Sequence, residues 1–158
     1  HLVEPCIVRM KSSILAMLAR TNTEVFWYSE SKDQGLHWSL PKPTKIPCGN
    51  APASLIKSGE HTLISCNFGK NRTQLVVAKL ESFNEKLNNP TFVTMVDCAS
   101  LKNTNQFVHP SGCDNAVTYP SMVDCGMYTT LIAWSRYMIN DTVHKGIINY
   151  CLVIDDSI

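Results

Sequence analysis

Ser31-Lys32-Asp33-Gln34-Gly35-Leu36-His37-Trp38 follows a strand-like aromatic run, Val25-Phe26-Trp27-Tyr28-Ser29. Its residues spell a hairpin turn. A carboxylate at Asp33 can accept hydrogen bonds from the backbone of its own turn, and Gly35 takes a positive φ at little cost. Trp38 returns as the first large residue of the next segment and can pack under the loop. Asp33 therefore reads as a structural residue of the turn, not as a catalytic acid.

Outward from this turn, short apolar runs recur in both directions. Cys6–Met10, Ser13–Ala19 and Glu24–Tyr28 precede or lead into it. Ser54–Ile56, Thr62–Cys66, Gln74–Ala78, Ser121–Val123, Thr129–Trp134 and Gly146–Val153 follow. Polar turn clusters separate them at Lys11-Ser12, Lys57-Ser58-Gly59-Glu60 and Cys125-Gly126. Short strands with polar turns indicate an antiparallel all-β chain. The run around Leu15 contains good helix formers, but a turn before it and the hairpin after it favour a strand. Three units repeat coarsely, Val8–Tyr28, Ser54–Ala78 and Ser121–Leu152, as blades of a propeller do. Between Ser82 and Asn115 the pattern is least regular, and a long loop is expected there. No linker divides the chain, so residues 1–158 read as a single domain.

The 158 residues are 44 % hydrophobic and 17 % charged, a globular composition. A net charge of +1 with no basic tract argues against nucleic acid as a partner. No apolar run reaches the length of a membrane span. The seven cysteines form no CxxC pair, and the five histidines show no ligand spacing, so no metal site or cofactor is expected. Cys6, Cys66, Cys125 and Cys151 fall in apolar runs and read as small buried hydrophobes. Sequons at Asn71-Arg72-Thr73 and Asn140-Asp141-Thr142 are no more than this composition yields by chance. The opening His1-Leu2-Val3-Glu4-Pro5 has neither an initiator Met nor a leader pattern, and suggests a fragment or processed chain.

Ser31, Asp33, Gly35 and Trp38 match all four positions of the Asp-box, and nearly the whole chain resembles the C-terminal half of an exo-α-sialidase. The resemblance runs from Glu4–Trp38 through Asn50-Ala51-Pro52-Ala53-Ser54-Leu55, Asn71-Arg72 and Thr118-Tyr119-Pro120-Ser121 to the Gly146-Ile147 strand, and is weakest over Ser82–Asn115. It implies a six-bladed propeller of which this chain forms about three C-terminal blades, the N-terminal half being a missing partner. It also implies that Tyr119 is a nucleophile and Glu4 its base. Arg20 and Arg72 would clamp the substrate carboxylate, Asn50 would line the substrate pocket, and Arg136, after Trp134-Ser135, is a further candidate.

These residue types suit a sialylated glycan. Planar guanidinium groups bind a carboxylate by charge-assisted hydrogen bonds. The sugar's own negative charge would repel a carboxylate nucleophile, and sialidases use a tyrosine instead. A phenol with an ordinary pKa near 10 needs a neighbouring base to accept its proton. Each residue also has a plainer reading: Glu4 and Arg20 as strand-end charges, Arg72 as a loop charge, Tyr119 as a strand cap. The family's first arginine and its acid Asp belong to the absent blades, and a second Asp-box is missing. The alternative function is therefore an inactive propeller that binds glycans or proteins. The compartment stays open, a secreted or lysosomal type being favoured.

Overall fold

The computed structural model describes residues 1–10, 13–68, 72, 74–80, 92–97, 117–127, 129–140 and 143–154. For 92–97, and from 136 onward except at 148 and 150, this description is of the backbone. Among the described residues there are eleven strands and no helix. They are β1 (Val3–Arg9), β2 (Leu15–Arg20), β3 (Val25–Ser31), β4 (Lys42–Pro47), β5 (Ser54–Ser58), β6 (His61–Phe68), β7 (Gln74–Leu80), β8 (Phe92–Asp97), β9 (Val117–Gly126), β10 (Thr129–Asn140) and β11 (Val143–Ile154).

The strands form three antiparallel meanders, β1-β2-β3-β4, β5-β6-β7-β8 and β9-β10-β11. These are blades A, B and C of a β-propeller. Strand β1 lies beside β5, and β5 beside β9, so each blade places its first strand innermost. The inner strands are also joined directly: the Met122 amide donates to Ser54 Oγ at 3.1 Å, and Ser58 Oγ donates to Asp124 at 3.2 Å.

Blade B is packed on both faces, and the two-residue period of β7 shows how. Val76, Ala78 and Leu80, with Ile64 and Cys66 of β6, meet Val8, Ala16, Leu18, Phe26 and Ile46 of blade A. Leu75 and Val77 point the other way, against Val117, Ile132 and Trp134 of blade C. That is why Gln74–Leu80 reads as a nearly continuous apolar run rather than an alternating one. Each fully buried Val, Leu or Ile contributes roughly 1.5–3 kcal/mol.

The other face of blade C carries exposed apolar side chains. In register, Val123 stands opposite Leu131, Tyr150 opposite Ala133 and Ile148 opposite Ser135. Val123, Ile148 and Tyr150 are 52 %, 77 % and 74 % exposed.

Two strands were not expected. Strand β4 carries Pro43 and Pro47, which lack a ladder donor; it lies at the edge of blade A, where proline is tolerated. Strand β8 falls inside the stretch expected to be a loop, and pairs with β7 as the fourth strand of blade B. Cys66 is buried as expected, whereas Cys125 is exposed because it sits at the tip of the β9–β10 hairpin. Burial pushes the Cys6 thiol up to about 12. Expectations for Asn71, Cys98, Cys113 and the rest of Ser82–Asn115 lie outside the described residues, and so does the burial of the Cys151 side chain.

Candidate functional site

The octapeptide of the Asp-box folds as its chemistry requires. Ser31 Oγ donates to Asp33 Oδ1 at 2.8 Å and accepts the Gly35 amide at 2.8 Å. Asp33 Oδ1 also accepts the His37 amide at 2.9 Å, and its Oδ2 lies 2.7 Å from His37 Nδ1. The His37 amide, then the His37 ring and the Ser31 hydroxyl, hold the Asp33 carboxyl down to about 2. Every polar atom of Asp33 is thus engaged in closing the turn. Trp38 donates from Nε1 to the Gly35 carbonyl at 3.1 Å and is half-buried, not the buried residue its size suggests, because its indole N–H caps the turn at the surface.

The five candidate residues come from different blades. Glu4 stands near the start of β1, and Arg20 ends β2. Asn50 lies in the connection between blades A and B, and Arg72 in the β6–β7 loop. Tyr119 is near the start of β9. Four of them share one backbone property. Glu4, Asn50, Arg72 and Tyr119 have φ of 48°, 52°, 52° and 54°, and they are half of the eight non-glycine residues with positive φ among those described. Such left-handed residues are strained, and they concentrate at functional sites.

Glu4 and Tyr119 obtain this conformation in the same way. Val3 pairs with Arg20 and Cys6 with Leu18, so Glu4-Pro5 oppose Ala19 alone. Thr118 pairs with Ser135 and Ser121 with Ala133, so Tyr119-Pro120 oppose Trp134 alone. Both are β-bulges with a left-handed residue followed by proline. A bulge re-aims the side chain it carries. The proline withholds a ladder donor, which stops the strand from healing into regular register. The repeated dipeptides Glu4-Pro5 and Tyr119-Pro120 were the sequence signal for this, and reading the two residues singly missed it.

Polar contacts join the candidates into one chain. Arg20 Nε lies 3.0 Å from Glu4 Oε2, an ion pair whose N–H is not aligned for a hydrogen bond. Arg20 Nη1 donates to the Asn50 carbonyl at 3.0 Å, and Arg72 Nη2 donates to the same oxygen. The Arg72 carbonyl accepts the Val117 amide at 2.9 Å, which fixes the start of β9 two residues before Tyr119. Asn67, fully buried and absent from the sequence reading, donates to the Val117 carbonyl at 2.6 Å and to the Gln74 carbonyl at 3.0 Å. It ties blade B to the root of Tyr119.

Arg72 is only 6 % exposed, so it is no ordinary loop charge. Tyr119 is 43 % exposed and accessible to a ligand. A direct Glu4–Tyr119 hydrogen bond was expected, and none is formed among the described residues; the Glu4 carboxylate turns to its nearest cation, Arg20. Asn50 enters the network through its carbonyl, while its side chain is exposed. The side chain of Arg136 lies outside the described ones.

Residues 1–130 match the family described as the BNR repeat-like domain, and the chain belongs to that family, of the sialidase type. A crystal structure of a protein of unknown function from Dyadobacter fermentans DSM 18053 is similar in fold, with a TM-score of 0.69 at 11 % identity. The similarity covers 98 % of this chain and 38 % of that one, so the chain spans well under half the length of that protein. No curated protein matches the sequence.

Proposed function

We propose that this chain carries the sialic-acid-binding and nucleophile-bearing side of a retaining exo-α-sialidase. Tyr119 is the nucleophile and Glu4 its base. Arg20 and Arg72 hold the carboxylate of a terminal sialic acid. The observation that carries the reading is the continuous link from Glu4 through Arg20, the Asn50 carbonyl and Arg72 to the root of Tyr119. A carboxylate entering the clamp would compete for Arg20 and free Glu4 to take the phenolic proton. Attack by the phenolate at the anomeric carbon then breaks the glycosidic bond, and the aglycone leaves as its alcohol with a proton taken from solvent. Water next displaces the tyrosyl oxygen from the sugar and loses a proton to solvent, Tyr119 recovers its proton from Glu4, and the net outcome is retention.

The exposed face of blade C supports the view that further blades complete the ring, and residues 1–158 are one part of a propeller domain. Expressed alone, the chain should self-associate through Val123, Ile148 and Tyr150. A monomeric sizing profile with a cooperative melt would count against this. In the complete protein, Tyr119→Phe should lose at least about a hundredfold in turnover of an aryl sialoside, the scale of a lost nucleophile or general base. It should bind sialic acid nearly as before. Unchanged turnover would remove Tyr119 from the chemistry.

A second reading, a propeller that binds sialylated glycans without cleaving them, is favoured by one observation: Glu4 is paired with Arg20 rather than with Tyr119. Sialic-acid binding without turnover in the complete wild-type protein would select it.

A further inference from the structure

Asn50 was expected to line the substrate pocket, and its contacts with the two arginines run through its backbone. Its carbonyl oxygen has two lone pairs and accepts one N–H from each of two like-charged guanidinium groups, Arg20 Nη1 and Arg72 Nη2. Arg20 belongs to blade A and Arg72 to blade B. Among the described residues no strand pairing joins them, so nothing in the ladders sets their spacing. One shared oxygen does. Two donors on a single acceptor lie within about 6 Å of each other, twice an ordinary donor–acceptor distance. That is a span a single carboxylate can bridge.

The carbonyl reaches this point because Asn50 sits at φ 52°. Asparagine is among the few non-glycine residues that visit this region routinely. The exposed side chain leaves the amide group itself out of the contact.

We infer that Asn50 is the positioning residue of the arginine pair: its left-handed backbone holds one carbonyl between Arg20 and Arg72 and so sets the separation at which they receive a carboxylate. The inference rests on the sialidase-type reading of the clamp, but it makes a separate demand, that backbone conformation and not the Asn amide is what matters at position 50.

Two substitutions divide these possibilities. Asn50→Gly keeps the left-handed backbone and removes the side chain. Asn50→Val keeps a side chain of similar bulk but strongly disfavours positive φ. Because the side chain is exposed, neither change disturbs the core. In the complete protein, free N-acetylneuraminic acid is titrated by calorimetry, and the arginine Nε–Hε resonances are recorded without ligand. Asn50→Val should weaken binding about tenfold, the equivalent of the 1–2 kcal/mol by which a non-glycine residue resists this conformation. It should also shift the Arg20 and Arg72 resonances. Asn50→Gly should rescue both, holding affinity within about threefold, well short of that loss.

Loss of affinity in Asn50→Gly equal to that in Asn50→Val would overturn the inference and return the role to the amide side chain. Unmoved arginine resonances in a folded Asn50→Val would overturn it too. If the wild-type protein binds no sialic acid, the proposed function fails. The arginine resonances of the two variants still decide whether Asn50 positions the pair.

Discussion

A left-handed residue followed by proline is a poor choice in a strand on two counts. The Cβ crowds the backbone at positive φ, and the proline ring disfavours helical conformations in the residue before it. Glu4 and Tyr119 both accept these penalties. Glycine would relieve the first, whereas at a regular strand position glycine is less stable than alanine by roughly 0.5–1 kcal/mol. The sign is therefore diagnostic. Glu4→Gly should be more stable than Glu4→Ala by about 1–2 kcal/mol, and Tyr119→Gly more stable than Tyr119→Ala by a similar amount. Urea denaturation of each pair gives the answer, and alanine variants as stable as their glycine partners would mean that no strain is stored there. From the sequence come two arginines, a Glu and a Tyr, residue types that suit an acidic sugar. What could not be read was conformation. Asn50 reads from sequence as a pocket-lining residue, whereas its carbonyl meets Arg20 and Arg72, and nothing in Cys66-Asn67-Phe68 hints at a bridge fifty residues along the chain.

The elements follow their local chemistry closely, and the Asp-box hairpin most of all. The folded Asp33 carboxyl titrates near 2 instead of its ordinary 3.8. A depressed carboxyl stabilises the fold at pH values above its unfolded pKa, and that contribution disappears as pH falls through the folded one. The hairpin should thus be intact at neutral pH and loosen between about pH 4 and 2. Carboxyl carbon shifts would follow the titration, and a midpoint near 4 for Asp33 would contradict the hydrogen-bond account. Asp33→Asn should already be less stable at pH 7 and show a flatter acid limb. Strands with strong periodicity or unbroken apolar character, such as β6, β7 and β10, were plain in the sequence. Strand β4 was hidden by its two prolines, which edge position alone makes tolerable. Strand β8 was hidden because Phe92–Asp97 lies in a polar neighbourhood and owes its existence to β7, a long-range partner that no local window contains.

On the scale of the whole molecule, the site belongs to no single blade. Glu4 and Arg20 come from A, Arg72 from B and Tyr119 from C, with Asn50 on the strap between the first two. Polar contacts cross the seams between these blades, among them the Gly49 amide on the Asn67 carbonyl at 3.3 Å and the Val117 amide on the Arg72 carbonyl at 2.9 Å. The apolar clusters on either side of blade B are separate, so each seam is expected to open without the other. A ligand gripped by Arg20 and Arg72 would then work as a rivet through the A–B seam. Amide exchange at Gly49 should slow several-fold when sialic acid saturates the complete protein, since binding stabilises only the closed form. Val117, reached through the Arg72 carbonyl, should follow to a smaller degree. Exchange unchanged at both amides under saturating ligand would mean that the blades are already locked. The molecule would then be a rigid body, instead of three plates that a bound ligand draws together.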